Sequence, residues 1–413
     1  MEEPRDNLVL EPQYPPTFEL APVQMCVKRK VKIARPDYPQ LCYDGEYEVL
    51  QLFDTTISLD SWLNGNDNSH DIIVEDDTSD SDIDIDSDSS DDSDYRPQDQ
   101  DGRIQTAYWI RHHIIDNHHG HIVNQLWKAI VLNKTALDSY WIITEEEVAL
   151  KCMSREHIRA SRSRGRMSED FVKEIAALQY LSSELDLDDH NVGDSLHVLT
   201  ANTIMVNESN EPGASFAFIV MPYCSKDIYQ HVVDVVANTR RGLTETEAKY
   251  WFKQMLAGLR TLQRACLCHR DLSPENFIVL DDTALVIDFG MSLRIPYTMD
   301  GRRHLIQRQR SCGKVPHLAP EYLSPEPAYT RPFDGHAIDI WATGTVLLYM
   351  LKGSREEFFR GPVEVIRVVS ELRNDRELGL SAEALDLLVK MFKWEPENRL
   401  TLNEIWNHPF LQS

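Results

Sequence analysis

The stretch CHRDLSPENF at 268–277 sets Asp271 beside His269 and Arg270, with Asn276 five residues further on and the tripeptide DFG at 288–290. Two carboxylates and a carboxamide at this spacing suggest a division of labour. Asn276 and Asp288 offer hard oxygen donors, too few to enclose an ion and so leaving room for water and phosphate, a set that suits Mg²⁺. Asp271 precedes both, and an acid so placed can accept the proton of a hydroxyl without being a metal ligand.

Local elements must bring these groups together. FIVL at 277–280 and ALVI at 284–287 are short β-rich runs, with Asp281, Asp282 and Thr283 reading as the turn between them. Symmetric pairing about that turn sets Leu280 against Ala284, Phe277 against Ile287 and Asn276 against Asp288. Directly opposed side chains lie about 5 Å apart, so this register delivers Asn276 and Asp288 to a common point. SYWIITEEEVALKCM at 139–153 reads as two strands joined by an acidic turn, and CVKRKVKI at 26–33 as strand-like. SEDFVKEIAALQYL at 168–181 has the spacing of an amphipathic helix, with Phe171, Ile175 and Leu178 on one face. TETEAKYWFKQMLAGLRTL at 244–262 opens with a capping box of Thr244 and Glu247. IDIWATGTVLLYMLKG at 338–353 is apolar nearly all round, which predicts a buried central helix closed by Gly353. The pattern is an α+β chain in which a small strand-rich part precedes a larger helical one.

Composition narrows the function classes. The net charge of the 413 residues is −25, but residues 67–94 alone hold thirteen Asp or Glu and no Lys or Arg. That run cannot bury enough apolar area to offset chain entropy and is expected to be disordered. Without a basic stripe, a nucleic-acid partner is not expected. No apolar stretch reaches the roughly 18 residues of a membrane span, and the first residues, MEEPRDNLVL, do not resemble a secretory leader. The seven scattered cysteines fit a reducing compartment. Cys266 and Cys268 in CLCH read as ordinary thiols. His112, His113, His118, His119 and His121 make a metal site conceivable, though a solvated loop is the default.

HRDLSPEN followed by DFG resembles the catalytic and metal-binding loops of eukaryotic protein kinases, with a serine/threonine-like pattern. The likeness runs from about 104 to 413. It implies a bilobal fold: an N-lobe over about 104–221 and a C-lobe over about 225–413, preceded by an acidic linker at 67–103 and by residues 1–66, to which no fold is assigned. VALK at 148–151 looks like the strand whose lysine, here Lys151, holds the ATP phosphates. FVKEIAALQYL looks like the helix supplying its partner, Glu174. IVMPYC at 219–224 resembles the inter-lobe hinge, with Met221 in the gatekeeper place. The nucleotide-contacting set implied is Gly120, Ala149, Lys151, Met221, Tyr223, Cys224, Asn276 and Asp288, with Asp271 as catalytic acceptor of the hydroxyl proton. APE at 319–321 and PENR at 396–399 match the segment end and its partner, so Arg399 should pair with Glu321, while Asp339 should support the catalytic loop. ATP and Mg²⁺ are the implied cofactors, a protein substrate the implied partner, and an upstream activating kinase a possible second. An intracellular, cytoplasmic location is implied, with the nucleus left open.

The sequence also departs from that pattern. Only Gly120 remains in NHHGHIVNQLWKA at 117–129, where the family shows three glycines to clamp phosphate. Ser273 stands where a lysine is usual, and Lys314, in CGKVPHLAPE, where a threonine is usual. The missing cation predicts low turnover that Ser273→Lys would raise, unless another group such as Lys314 fills the role. Arg270 beside Asp271 suggests regulation through a phosphate at Tyr297, Thr298 or Ser311. The alternative to an active enzyme is a pseudokinase serving as a binding or scaffold module.

Overall fold

The structure is a computed structural model that describes residues 20–35, 38–42, 46–65, 104–115, 125–135, 138, 140–163, 170–184, 196–211, 213–295, 305–306, 313–323, 332–358, 360–372 and 378–412. The acidic run, Gly120, His118, His119, His121, Tyr297, Thr298 and Ser311 lie outside the described residues. The chain forms two compact units.

The strand-rich unit, Pro22–Arg155 with Ile204–Phe218, is built on a nine-stranded sheet. Its strands are β1 (Val23–Val31), β2 (Ile33–Arg35), β3 (Tyr38–Cys42), β4 (Tyr47–Ile57), β5 (Gln105–Ile115), β6 (Gln125–Lys134), β7 (Trp141–Ser154), β8 (Thr203–Asn207) and β9 (Phe216–Pro222). Their order is β3-β2-β7-β6-β5-β4-β1-β8-β9, and β9 also pairs with β7. Seven strands therefore close into a ring, which leaves β2 and β3 as the two strands of this sheet outside it. The region 1–66, without an assigned fold from sequence, supplies the closure. β4 pairs antiparallel with β5, setting Val49 against Trp109 and Leu50 against Tyr108. β1 pairs with β4 on one side and runs parallel to β8 on the other, with Gln24 opposite Met205.

Apolar residues from several strands of the sheet form a core. Val31, Ile33, Val49, Ala107, Trp109, Leu132 and Trp141 pack as one buried cluster. Lys28 and Lys30 of β1 are exposed, and Lys28 meets Glu48 of β4 at 2.5 Å. A short helix, α1 (Leu59–Asn64), follows β4 and buries Trp62 completely. The Trp62 indole donates to the Asn207 carbonyl at 3.1 Å, and the Arg155 guanidinium lies 5.4 Å above its ring.

The expected acidic turn within 139–153 is corrected by the structure: β7 runs unbroken from Trp141 to Ser154. Glu145–Glu147 contain no glycine, proline or asparagine to reverse the chain. They stay in the strand with exposed side chains, and Glu147 pairs with Lys128 of β6 at 2.7 Å. A bulge between Ile130 and Leu132 absorbs the local irregularity.

The second unit is mainly helical and holds Met1–Ala21, Glu156–Thr203 and Ile219–Ser413. Its helices are α2 (Arg155–Ser163), α3 (Phe171–Glu184), α4 (Ile228–Thr239), α5 (Glu245–Arg264), α6 (Pro320–Leu323), α7 (Gly335–Lys352), α8 (Pro362–Leu372), α9 (Ala382–Met391), α10 (Leu402–Trp406) and α11 (Pro409–Gln412). As the apolar run predicts, α7 is buried from Gly335 to Leu351, capped by Asp334 and ended by Gly353 at φ 73°. The Thr244–Glu247 capping box starts α5. Three two-to-four-residue strand pairs decorate this unit: β10 (Lys226–Asp227) on β12 (Phe277–Leu280), β12 on β13 (Thr283–Val286), and β11 (Leu267–Cys268) on β14 (Leu293–Arg294). Among the described residues no helix is long and apolar enough to cross a membrane.

Candidate active site

The loop carrying Asp271 is hung from α7. Asp339 accepts the His269 N–H at 2.7 Å and the Arg270 N–H at 2.8 Å, one on each carboxylate oxygen. Burial outweighs the two N–H groups and the Arg270 guanidinium and pushes its carboxyl up to about 7. His269 is fully buried, and burial lowers its pKa, so the ring is neutral. Its Nε2 lies 2.8 Å from the Ile287 carbonyl, which can only accept. The proton is therefore on Nε2, and Nδ1 is left to accept the Asp271 N–H at 3.3 Å. One buried carboxylate and one neutral imidazole thus fix the backbone through which Asp271 emerges.

Asn276 closes the loop. It ends a 3₁₀ turn, Pro274–Asn276, and its Nδ2 donates to the Asp271 carbonyl at 2.7 Å while standing 3.4 Å from the Asp271 carboxylate. With the nitrogen committed to that contact, the carboxamide oxygen is presented to the other side.

The hairpin is one residue out of the expected register. Leu280 faces Thr283, Val279 faces Ala284, and Phe277 faces Val286. The turn has two residues, not three: Asp281 and Asp282 both adopt left-handed conformations, at φ 46° and 60°. Aspartate tolerates that region, and such a turn matches the twist of paired strands. Tyr250 Oη and Gln254 Nε2 of α5 hold the Asp282 carbonyl, at 3.0 and 3.3 Å. As a result Ile287, not Asp288, stands opposite Asn276, with its N–H on the Asn276 carbonyl at 3.0 Å. Asp288 is one residue beyond, and it turns through a left-handed backbone (φ 68°) into the 3₁₀ turn Phe289–Met291.

That turn is tied to α3, because the Asp170 N–H donates to the Gly290 carbonyl at 3.2 Å. Glu174 is buried in the first turn of α3. Ala149 and Lys151 lie on β7 of the strand-rich unit, opposite Lys128 and Leu126. Met221, Tyr223 and Cys224 are half-buried at and just after the end of β9, and burial, with Asp281, pushes the Cys224 thiol up to about 11. Cys268 is buried, and its thiol faces the Leu293 carbonyl at 3.6 Å. Arg399 and Glu321 form the expected pair through two parallel hydrogen bonds of 2.9 and 3.0 Å, and Arg399 also donates to the Ala337 carbonyl at 2.6 Å.

Two groups of contacts go beyond the sequence reading, which named Lys314 only as a group that could fill the place of the missing cation. Arg270 is buried, donating to Tyr322 Oη and, at 3.1 Å, to the Met291 carbonyl. Lys314 Nζ reaches Ser273 Oγ at 2.8 Å and stands 3.4 Å from Glu275, which is itself bound by Arg355 at 2.7 Å. The two departures at 273 and 314 are the signal for the first of these Lys314 contacts. No spacing rule points to Arg355, eighty residues from Glu275. Asp271, Gly313, Lys314, His317 and Tyr322 share the lining of one pocket. Burial pulls the His317 ring down to about 3, so it is neutral.

Glu275 gives this corner a pH signature. Burial works to raise its pKa, but Lys314, a backbone N–H and Arg355 outweigh it and hold the group at about 2 against the usual 4.5. Its contribution to stability is therefore complete above pH 4.5 and disappears as pH falls from there through about 2. Thermal unfolding across that interval should show the wild type losing stability more steeply than Glu275→Gln. Parallel curves would mean that the Lys314–Glu275–Arg355 cluster contributes nothing to the folded state.

Asn276 and Asp288 are hard oxygen donors at one end of a hairpin, and the described residues hold no group of three or more His, Cys, Asp or Glu that could enclose a metal. A cation there would complete its shell with phosphate and water oxygens, as Mg²⁺ does. The fold and this loop define a class. Residues 139–411, well over half of the chain, match the protein kinase domain, and the chain belongs to that family. Among similar proteins, serine/threonine-protein kinase PLK2 of Mus musculus is 32% identical over 194 residues, 47% of this chain and 26% of its own length. Probable serine/threonine-protein kinase HSL1 of Saccharomyces cerevisiae is 32% identical over 173 residues, 41% of this chain and 10% of its own. SNF-related serine/threonine-protein kinase of Homo sapiens is 29% identical over 181 residues, 43% of this chain and 22% of its own. The chain therefore spans about a quarter or less of the length of these relatives.

Proposed function

We propose that this chain is an active kinase that transfers the γ-phosphoryl group of ATP to a serine or threonine hydroxyl of a protein substrate. The observation that carries the reading is the Asp271–Asn276 contact, held from below by Asp339 and by the neutral His269. Asp271 orients the acceptor hydroxyl and takes its proton as the oxygen–phosphorus bond forms. Asn276 and Asp288 hold Mg²⁺, which when bound neutralises charge on the transferring phosphoryl group. Lys151 orients the ATP phosphates, with Glu174 as its partner. Ala149, Met221, Tyr223 and Cys224 line the nucleotide site, and Gly120 belongs to the phosphate loop. Regulation through the activation segment, with an upstream kinase as partner, and an intracellular location belong to the same reading.

The sparse glycine content around Gly120 favours a second reading, a pseudokinase that binds nucleotide or partner without transfer. Incubation of the full chain with Mg-ATP and a peptide library presenting Ser, Thr or Tyr separates the two. Label on Ser and Thr peptides supports the proposal. Label on Tyr alone overturns the acceptor assignment, and no label with intact nucleotide binding supports the scaffold reading.

A further inference from the structure

Between Asp271 and Asn276 the chain reads Leu-Ser-Pro-Glu, so the catalytic loop itself brings no cation to the proton acceptor. One arrives from outside. Lys314 Nζ donates to Ser273 Oγ at 2.8 Å, and Ser273 is fully buried two residues from Asp271. The ammonium is held at its root as well. Gly313 adopts φ 94°, and a Cβ there would come within 2.9 Å of the Arg270 carbonyl, so the segment lies directly on the catalytic loop backbone. After Lys314 the chain enters a 3₁₀ turn whose His317 N–H returns to the Lys314 carbonyl at 2.9 Å. The buried His317 ring contacts Thr345 Oγ1 of α7 at 2.5 Å. Lys314 also helps to neutralise Glu275, which it shares with Arg355 at 3.4 Å against 2.7 Å, but its shorter contact is the one to Ser273 Oγ. The Lys314 side chain stays 44% exposed and lines the same pocket as Asp271.

We propose that Lys314 is a catalytic residue: seated on Ser273, its ammonium contacts the γ-phosphoryl oxygens of ATP beside the acceptor hydroxyl. This rests on the kinase reading and deepens it. In the transfer, the acceptor O–H gives its proton to Asp271, a bond forms between that oxygen and the γ-phosphorus, and the bond from the γ-phosphorus to the β,γ-bridging oxygen breaks to leave ADP. Lys314 stays protonated throughout and offsets charge on the moving group. Because Lys314 belongs to the activation segment, seating that segment and delivering the cation are a single event.

The test is steady-state kinetics of the full chain with Mg-ATP and a Ser or Thr peptide. Lys314→Met should lower kcat by on the order of 10²–10³-fold with little change in KM for ATP, as expected for a contact realised in the transition state. Moving the lysine, as Ser273→Lys in the Lys314→Met background, should recover much of that loss, an outcome that a merely structural role for Lys314 would not give. Ser273→Lys alone should not raise kcat, the outcome the sequence reading attaches to Lys314 filling the role, because the place is already filled. Since position 273 is buried, a second arm uses Lys314→Ala with an added alkylamine, which should restore rate in a saturable way. Thermal midpoints establish that each variant is folded. Unchanged kcat in folded Lys314→Met, or a loss that neither the relocated lysine nor the amine restores, overturns the Lys314 assignment alone. A wild-type chain that transfers no phosphate overturns the kinase reading and this assignment with it.

Discussion

Asp271→Asn should leave Mg-ATP binding nearly intact and lower phosphoryl transfer by about 10²–10⁴-fold, the range for loss of a positioned general base. The substitution is close to isosteric, and the loop does not depend on the carboxylate for its shape. The contact that closes it runs from Asn276 Nδ2 to the Asp271 main-chain carbonyl, and the loop root is held by Asp339. What the variant loses is a proton acceptor. Asp288→Asn is the complementary case: it weakens a metal ligand and should abolish the Mg²⁺-dependent gain in thermal stability on adding ATP. Thermal shift with and without Mg-ATP, paired with initial rates, distinguishes them. A shift lost in Asp271→Asn and kept in Asp288→Asn would reverse the two roles.

Excising residues 20–65 should prevent the strand-rich unit from folding as a soluble species. The excision removes β1 and β4, the two strands that bridge β5 and β8. It strips partners from the edges of both, and such unpaired edges are templates for aggregation. It also removes core: Ile33, Val49, Leu50 and Trp62 are each no more than 2% exposed. At about 1.5–3 kcal/mol for each such side chain, the loss is about 6–12 kcal/mol, comparable with the whole stability of a domain at about 5–15 kcal/mol. Expression of a chain starting at 104 should give insoluble or molten protein. A chain starting at 104 that melts cooperatively at the wild-type midpoint would show the N-terminal strands to be dispensable.

The helices and the reacting groups were legible because their determinants are local. The Thr244–Glu247 box, the apolar run ending at Gly353 and the Asp271–Asn276 spacing all act within one element or one loop. The hairpin register was missed by one residue because two aspartates can both take left-handed backbones, which neither composition nor alternation signals. The 139–153 strand was split in reading because three glutamates resemble a turn until a facing strand gives them partners. The ring of seven strands was invisible for another reason. β1 finds β8 across some 180 residues of chain, and register between remote strands is set by tertiary packing, not by any pattern within either. The Lys314–Ser273 contact is intermediate: two departures in one family pattern can be noticed, but their contact is a distance.

The most direct test of the account is a single-turnover, rapid-quench experiment in which the full chain, in excess over γ-labelled ATP and with a Ser or Thr peptide present, is sampled with Mg²⁺ and with the metal chelated. The account predicts Mg²⁺-dependent movement of label onto the peptide hydroxyl at a rate that Asp271→Asn suppresses by about 10²–10⁴-fold. Labelled ATP that binds and is recovered intact, at equal levels in wild type and Asp271→Asn, would contradict it.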